Sequence, residues 1–346
     1  MAGVCFCFYL PRAMIDFWLF RVTRMGGDCV KPKSKTRRVR GEASMFVACL
    51  LALLVTAPAA VAAQMGDRAE INRITLGLVS ETDRSSIEER FQDFVRYVAR
   101  RLSARADVDG KVVVAPTTFQ LVKLLEQRRV DFYMESAYPT YTINHVHGAG
   151  KTLLRRWKSG MTEYQGLIFT SRDSGVRNLE DLRGKTIAFE DPGSTSAYLL
   201  PKVFLQRSGF KLVQKREFDP FASSGEINYV FAYSQKKLLD LVLTEQAAAG
   251  AFSTDDHANL SDREKSHIAV LAQTERLPRH LLSVRSDLPS AVVARLEEIL
   301  LAMHEDEVGR RILNKSDQTT KFDRLPEGEA GLRRRLLETF YSAEKR

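Results

Sequence analysis

Apolar positions along the chain change their period repeatedly, and the changes outline alternating strands and helices. "ITLGLV" (74–79) is a continuous apolar run of strand length. After it, Ile87, Phe91, Phe94, Val95, Val98 and Leu102 recur at helical spacing, and Ser86 with Glu89 fits a capping box. "KVVVA" (111–115), a turn at Pro116, a helix over 119–128 and "VDFYME" (130–135) continue the series. This β-α-β-α-β order predicts a parallel sheet covered by helices. A second set follows: a long strand over 163–174, a short helical turn and strand over 178–191, and a helix towards Arg207. "YVFAY" (229–233), a helix over 235–243, "AAAGAF" (247–252) and "HIAVLAQT" (267–274) complete it. "HLLSVRSD" (280–287) reads as a strand and 289–306 as a strongly amphipathic helix. Two βα sets joined by extended crossings predict an α/β protein of two lobes. Residues 70–166 with 275–346 would form lobe 1, and 167–274 lobe 2, the C-terminal helices returning to the first lobe.

Before residue 64 the pattern is of another kind. "KPKSKTRRVR" (31–40) is a positive n-region, "MFVACLLALLV" (45–55) an apolar stretch of signal-peptide length, and "APAAVAAQ" (57–64) a small-residue cleavage site after Ala62 or Ala63. The stretch is short for a membrane span. Residues 1–63 therefore read as a leader, with 1–24 an over-called start and Met25 or Met45 the true one. The leader also explains the charge. The chain carries 52 Lys/Arg against 43 Asp/Glu, of which nine and three fall in the leader, so the remainder is only +3. That is no nucleic-acid footprint. All four cysteines (5, 7, 29, 49) also lie in the leader, so the exported chain has no disulfide framework.

In open α/β sheets, ligands sit beyond the carboxyl ends of the strands. The residues predicted there are Ser80, Glu81, Thr82, Thr117, Thr118, Glu135, Ser136, Tyr138, Ser194, Thr195, Ser196, Tyr233, Ser234, Ser253, Thr254, Asp255 and Asp256. The set is rich in hydroxyls and holds no Lys or Arg. In "EDPGSTSAYLLP" (190–201), three adjacent hydroxyls stand where a strand runs into a helix. A helix N-terminus offers unpaired N–H groups and the positive end of a dipole, so Ser194, Thr195 and Ser196 could hold an oxyanion without a formal positive charge. Equally, Ser194 or Thr195 could simply cap the helix. Pro201 implies either a kink or a looser first turn before the regular helix.

These residues carry a resemblance. "DPGSTSAYLLP" resembles the Asp-Pro-x-Ser-Thr-Ser-Gly-x-x-x-Pro signature of phosphate-, phosphite- and phosphonate-type substrate-binding proteins of ABC importers. "VDFYMESAYPTY" (130–141), "LLRRWKSGMTEYQGLIFTSRDSGVRNLEDLRGK" (153–185) and "PRHLLSVRSDL" (278–288) resemble segments of the same family, in the same order. The likeness spans roughly residues 72–325. It implies a two-lobed periplasmic binding protein of type II, each lobe a mixed, mainly parallel sheet flanked by helices, with the ligand in the cleft. It implies Ser194, Thr195 and Ser196 as oxyanion contacts and, by position, Thr118, Glu135 and Asp255 or Asp256. Tyr138, beside Glu135, completes the candidate set. Ser234 stands where the family commonly has a histidine, Ala197 replaces a glycine, and Glu135 and Thr118 replace aromatics. The implied partners are a small oxyanion and an ABC permease. A membrane sensor is the alternative partner, and an enzyme on the same fold a third reading. The implied form is a periplasmic monomer without cofactor.

Glu135 or Asp255 facing an anion would repel it unless the ligand brought a proton or an ammonium. Hydrogen phosphate or phosphite could donate to the carboxylate, whereas sulfate could not, which favours phosphorus oxyanions. Other constellations are weaker. "HVH" (145–147) has metal-ligand spacing on a strand but lacks a third ligand nearby. "GSTSA" does not fit G-x-S-x-G. "RRWK" (155–158) reads as a solvated basic face.

Overall fold

The computed structural model describes residues 72–80, 83–102, 108–215 and 225–341. The leader with its cysteines, and Glu81 and Thr82, lie outside the described residues. In chain order the first elements are β1 (Arg73–Val79), α1 (Arg84–Leu102), β2 (Asp109–Ala115), α2 (Thr118–Glu126), β3 (Phe132–Glu135), α3 (Ala137–Tyr141) and β4 (Gly150–Lys158). Next come β5 (Glu163–Tyr164), β6 (Gly166–Ser171), β7 (Thr186–Phe189), α4 (Leu200–Arg207), β8 (Lys211–Gln214), β9 (Glu226–Phe231), α5 (Gln235–Leu243), β10 (Ala249–Ser253), α6 (Thr254–Asn259) and α7 (Asp262–His267). The chain continues through β11 (Ile268–Gln273), β12 (Leu277–Pro278), β13 (His280–Arg285), α8 (Ser290–Ala302), α9 (Glu307–Lys315), β14 (Thr319–Arg324) and α10 (Gly328–Tyr341).

Two six-stranded mixed sheets result, one per lobe, in the orders β14-β4-β13-β3-β1-β2 and β11-β6-β10-β7-β9-β8. β1 pairs in parallel with β2 and β3, and β7 with β9 and β10. Strands returning from the other lobe enter antiparallel: β13 lies against β3 and β4. Between the sheets the chain crosses twice, and the crossings pair as β5 with β12, Tyr164 opposite Leu277 and Glu163 opposite Pro278. Such a paired crossing is the natural hinge of a two-lobed molecule.

Apolar periodicity places the core. The buried face of α1 (Phe91, Phe94, Val95, Val98) meets Phe132, Leu154 and the α8 residues Leu296 and Leu300. Another cluster joins Ala137 and Tyr141 to Ile187, Leu200 and the α10 residues Leu332, Leu336 and Phe340. The last helix therefore packs against elements of both lobes.

Several local expectations change. α1 begins at Arg84, so Ser86 and Glu89 lie inside it and form no capping box. His145 lies in a π-helical turn, Thr142–Val146, rather than a strand, with its ring against Tyr141. The "RRWK" segment belongs to β4, in the interior of the first sheet. Arg156 is 2% exposed. Arg155 forks onto Asp323 at 2.7 and 3.0 Å, and Arg156 and Lys158 converge on Asp317 at 3.0 and 2.9 Å. This basic run is an internal ion-pair network, not a solvated face.

Candidate functional site

The run after β7 divides its three hydroxyls between separate tasks. Ser194 is the N-cap: its Oγ accepts the N–H of Ala197 at 3.1 Å and donates to Glu190 Oε2 at 3.0 Å. Thr195–Leu199 then forms a wide π-type turn, with Leu199 N–H donating to Ser194 O, before α4 starts. Pro201 sits in the first turn of α4, where its missing N–H costs nothing, so the looser-first-turn alternative is the one observed. Close packing holds this turn in place: a Cβ on Gly166 would come within 2.5 Å of Ser196 O.

Thr195 and Ser196 are 1% and 6% exposed. Thr195 Oγ1 accepts the backbone N–H of Tyr138 and donates to Ser136 Oγ, each at 2.9 Å, so a side chain of one lobe bonds the start of a helix in the other. The side chains of Thr195, Ser196 and Ser136 meet the hydroxyl of Tyr164, which comes from the crossing strand β5. Burial raises the pKa of that phenol, so it stays neutral.

Behind Tyr164 stands a charge pair. Arg279 follows β12, and its backbone N–H is fixed to Thr162 O at 2.8 Å. Its guanidinium lies 5.1 Å from the Tyr164 ring centroid, and Nε is 2.7 Å from Asp255 Oδ2. Asp255 and Arg279 are 7% and 8% exposed. Deeper in the hinge, Arg156 and Lys158 flank His280, whose pKa burial and those cations push well down, leaving a neutral imidazole.

Acids crowd the same strand ends. Glu135 closes β3, and its Oε1 accepts Val79 N–H at 2.8 Å. Burial pushes its pKa up to about 8, Asp191 of the other lobe adds to this, and the N–H groups of Val79 and Ser136 oppose it. Glu190 is pushed up to about 7 by burial and by the charges of Asp191 and Asp256. Both carboxyls therefore retain protons well above the usual carboxylate range, so repulsion of an anion is weaker than a count of acidic residues suggests.

The remaining candidates occupy the same strand ends in other ways. Thr118 is the first residue of α2, partly exposed, while its neighbour Thr117 caps the helix. Ser234 is exposed and caps α5, its Oγ accepting Lys237 N–H at 3.4 Å. Tyr138 contributes its backbone N–H, while its ring packs edge-on against Phe340 at 5.6 Å. A cation from outside the strand-end set, Arg279, nevertheless stands close to this cluster, against the Tyr164 ring. Tyr164, Glu190 and Arg279 were not among the candidates from sequence. Glu190 and Arg279 nevertheless stand inside or beside the two most distinctive segments, "EDPGSTSAYLLP" and "PRHLLSVRSDL".

The family described as ABC transporter, phosphonate, periplasmic substrate-binding protein matches the chain over residues 76–326. Among solved structures, XAC2383 of Xanthomonas citri bound to chloride ion is 26% identical with a TM-score of 0.73, covering 79% of this chain and 99% of its own. The same protein bound to ATP gives 26% and 0.71, covering 79% and 98%. PhnD1 of Prochlorococcus marinus in complex with methylphosphonate is 15% identical with a TM-score of 0.60, covering 80% and 99%, a likeness of fold.

Proposed function

The chain belongs to the periplasmic substrate-binding proteins of phosphonate ABC transporters, and from that membership we propose that it captures a phosphorus oxyanion between its lobes and delivers it to an ABC permease. Phosphate, phosphite and simple phosphonates are the ligand class. One observation carries the proposal: hydroxyls of both lobes, Ser136 from the first and Thr195 and Ser196 from the second, converge on the Tyr164 hydroxyl at the hinge. A tetrahedral oxyanion needs several short-range donors from different directions, and neutral hydroxyls supply them at low desolvation cost.

Binding is also closure. An anion drawing on donors from both lobes stabilises the closed form by its differential affinity for it, and a permease can read that form. XAC2383, which binds chloride and ATP, supports an anion as ligand and extends the panel to nucleotides. Export through the leader, with cleavage after Ala62 or Ala63, belongs to the same reading, and mass spectrometry of the mature chain checks it.

A thermal-shift panel of phosphate, phosphite, methylphosphonate, 2-aminoethylphosphonate, ATP and sulfate tests the proposal. A ligand at a hundredfold excess over its Kd adds about 2.7 kcal/mol to stability. At least one phosphorus oxyanion should raise the melting temperature. No response to any of them would sink the proposal.

A further inference from the structure

We propose that the exposed ring of Tyr233 is a stacking platform at the carboxyl end of β9, and that the captured oxyanion carries an aromatic ring which lies on it. An aryl phosphonate or an aromatic phosphate monoester has that chemistry. The inference rests on the oxyanion reading above and specifies what the anion is attached to.

The backbone gives the first observation. Tyr233 stands between β9 and the Ser234 cap of α5 with a φ of 57°, alone among the described aromatic residues in the left-handed region. Glycine adopts that conformation freely, whereas a bulky side chain is strained in it. Such strain persists only where the surroundings enforce it, and it clusters at ligand sites. Here two hydrogen bonds enforce it: Ala232 N–H donates to Phe189 O at 2.8 Å and Tyr233 N–H to Glu190 O at 2.7 Å. The result is a ring 56% exposed, apolar surface that the core does not use.

Second, the ring is backed by others. Phe231 lies 5.9 Å behind it, and Tyr198 meets Phe231 edge-on at 4.9 Å. Tyr229 and Phe189 continue the column into the second lobe, their centroids 5.4 Å apart. Edge-to-face rings at these spacings attract one another, so the column fixes the orientation of its outermost member. Among the described residues, Phe231 is the only ring that Tyr233 meets.

Third, the platform is built onto the hydroxyl run. Glu190 holds Tyr233 through its carbonyl, and its carboxyl accepts the Ser194 hydroxyl at 3.0 Å. Tyr198 belongs to the same Thr195–Leu199 turn that presents Thr195 and Ser196. The platform and the hydroxyls are thus neighbours in one packed part of the second lobe. The charges of Asp191 and Asp256 reach Glu190 there, so this end of the site disfavours a second negative group on the ligand and suits a neutral ring.

Calorimetry with phosphate, phosphite, methylphosphonate and phenylphosphonate tests this. Wild type should bind phenylphosphonate at least about tenfold more tightly than methylphosphonate, the worth of one aromatic contact. Tyr233→Phe should keep that ratio. Tyr233→Gly removes the ring and relieves the strained backbone, so it should melt no lower than wild type, and its ratio should fall to within about threefold of one. Equal affinity for the two phosphonates in wild type, a preference that survives in Tyr233→Gly, or binding of phosphate or phosphite with neither phosphonate overturns the platform and leaves the oxyanion reading standing. Wild type that binds none of the four overturns the oxyanion reading, and the platform falls with it.

Discussion

Thr195 of the second lobe accepts the backbone N–H of Tyr138 of the first at 2.9 Å. Its own hydroxyl proton goes to Ser136 Oγ. One small side chain thereby satisfies a free donor in the first turn of α3 and couples the lobes. Thr195→Val keeps the shape and removes both bonds. The Tyr138 N–H loses its partner, at about 1–3 kcal/mol. We expect a lower melting temperature together with at least about tenfold weaker oxyanion binding, read by thermal unfolding and calorimetry. A variant that melts lower but binds as tightly as wild type would confine Thr195 to a structural role.

Tyr164→Phe asks a narrower question. The ring remains under Arg279, and only the hydroxyl that meets Ser136, Thr195 and Ser196 is lost. Because the change deletes a donor without opening a cavity, the fold should persist. Affinity for the responding oxyanion should fall by about tenfold, the worth of one buried hydrogen bond. Unchanged affinity would move the anion away from the hinge.

Stability should fall as pH rises through neutrality. Glu135 titrates near 8 and Glu190 near 7 in the folded protein, both raised from the ordinary 4.5. Across that window the folded state holds protons that the unfolded chain has released, so unfolding becomes easier with increasing pH. The contribution is complete below about pH 4.5 and lost above about pH 8. Melting temperatures measured from about pH 5 to about pH 8.5 should decline in wild type, and less steeply in Glu135→Gln and Glu190→Gln. Equal slopes in all three proteins would show that these carboxyls ionise normally.

The alternation of apolar runs made much of this architecture legible. β1, α5 and the strand before the hydroxyl run lie where periodicity put them, because their buried positions are apolar except for Thr75 and Thr186. β4 was hidden because Arg156 takes an inward position that the pattern reserves for apolar residues. β14, "TTKFDR", lies at a sheet edge and buries only Thr319 and Phe322. The site was half legible. Thr195 and Ser196 could be found because they are contiguous and follow a strand. Tyr164 and Arg279 sit in or beside two-residue crossing strands, too short to show any period, and meet the hydroxyls only through tertiary folding.

Ser234→Ala separates a cap from a ligand contact. Its Oγ accepts Lys237 N–H at the exposed start of α5. Loss of an N-cap costs about 0.5–2 kcal/mol. We expect a modest drop in melting temperature and oxyanion affinity within about twofold of wild type. A large loss of affinity would instead put Ser234 in contact with the ligand.

The last helix should govern how far the lobes part. Thr152 N–H of β4 donates to Glu329 at 3.2 Å, and Arg335 holds Glu163 of one crossing and the Arg276 carbonyl at the other. Arg207 of α4 donates to the carbonyls of Glu338 and Thr339 at 2.7 and 2.9 Å. Between these ties the Phe340 ring packs against Tyr138 and Tyr141 of the first lobe. Phe340→Ala removes that wedge and should cost about 3–5 kcal/mol. If α10 restrains opening, the ligand-free variant should also show a larger radius of gyration by small-angle scattering, and a saturating oxyanion should restore the wild-type value. A destabilised variant with unchanged dimensions in both states would reduce α10 to a core element, with the hinge alone setting the range of motion.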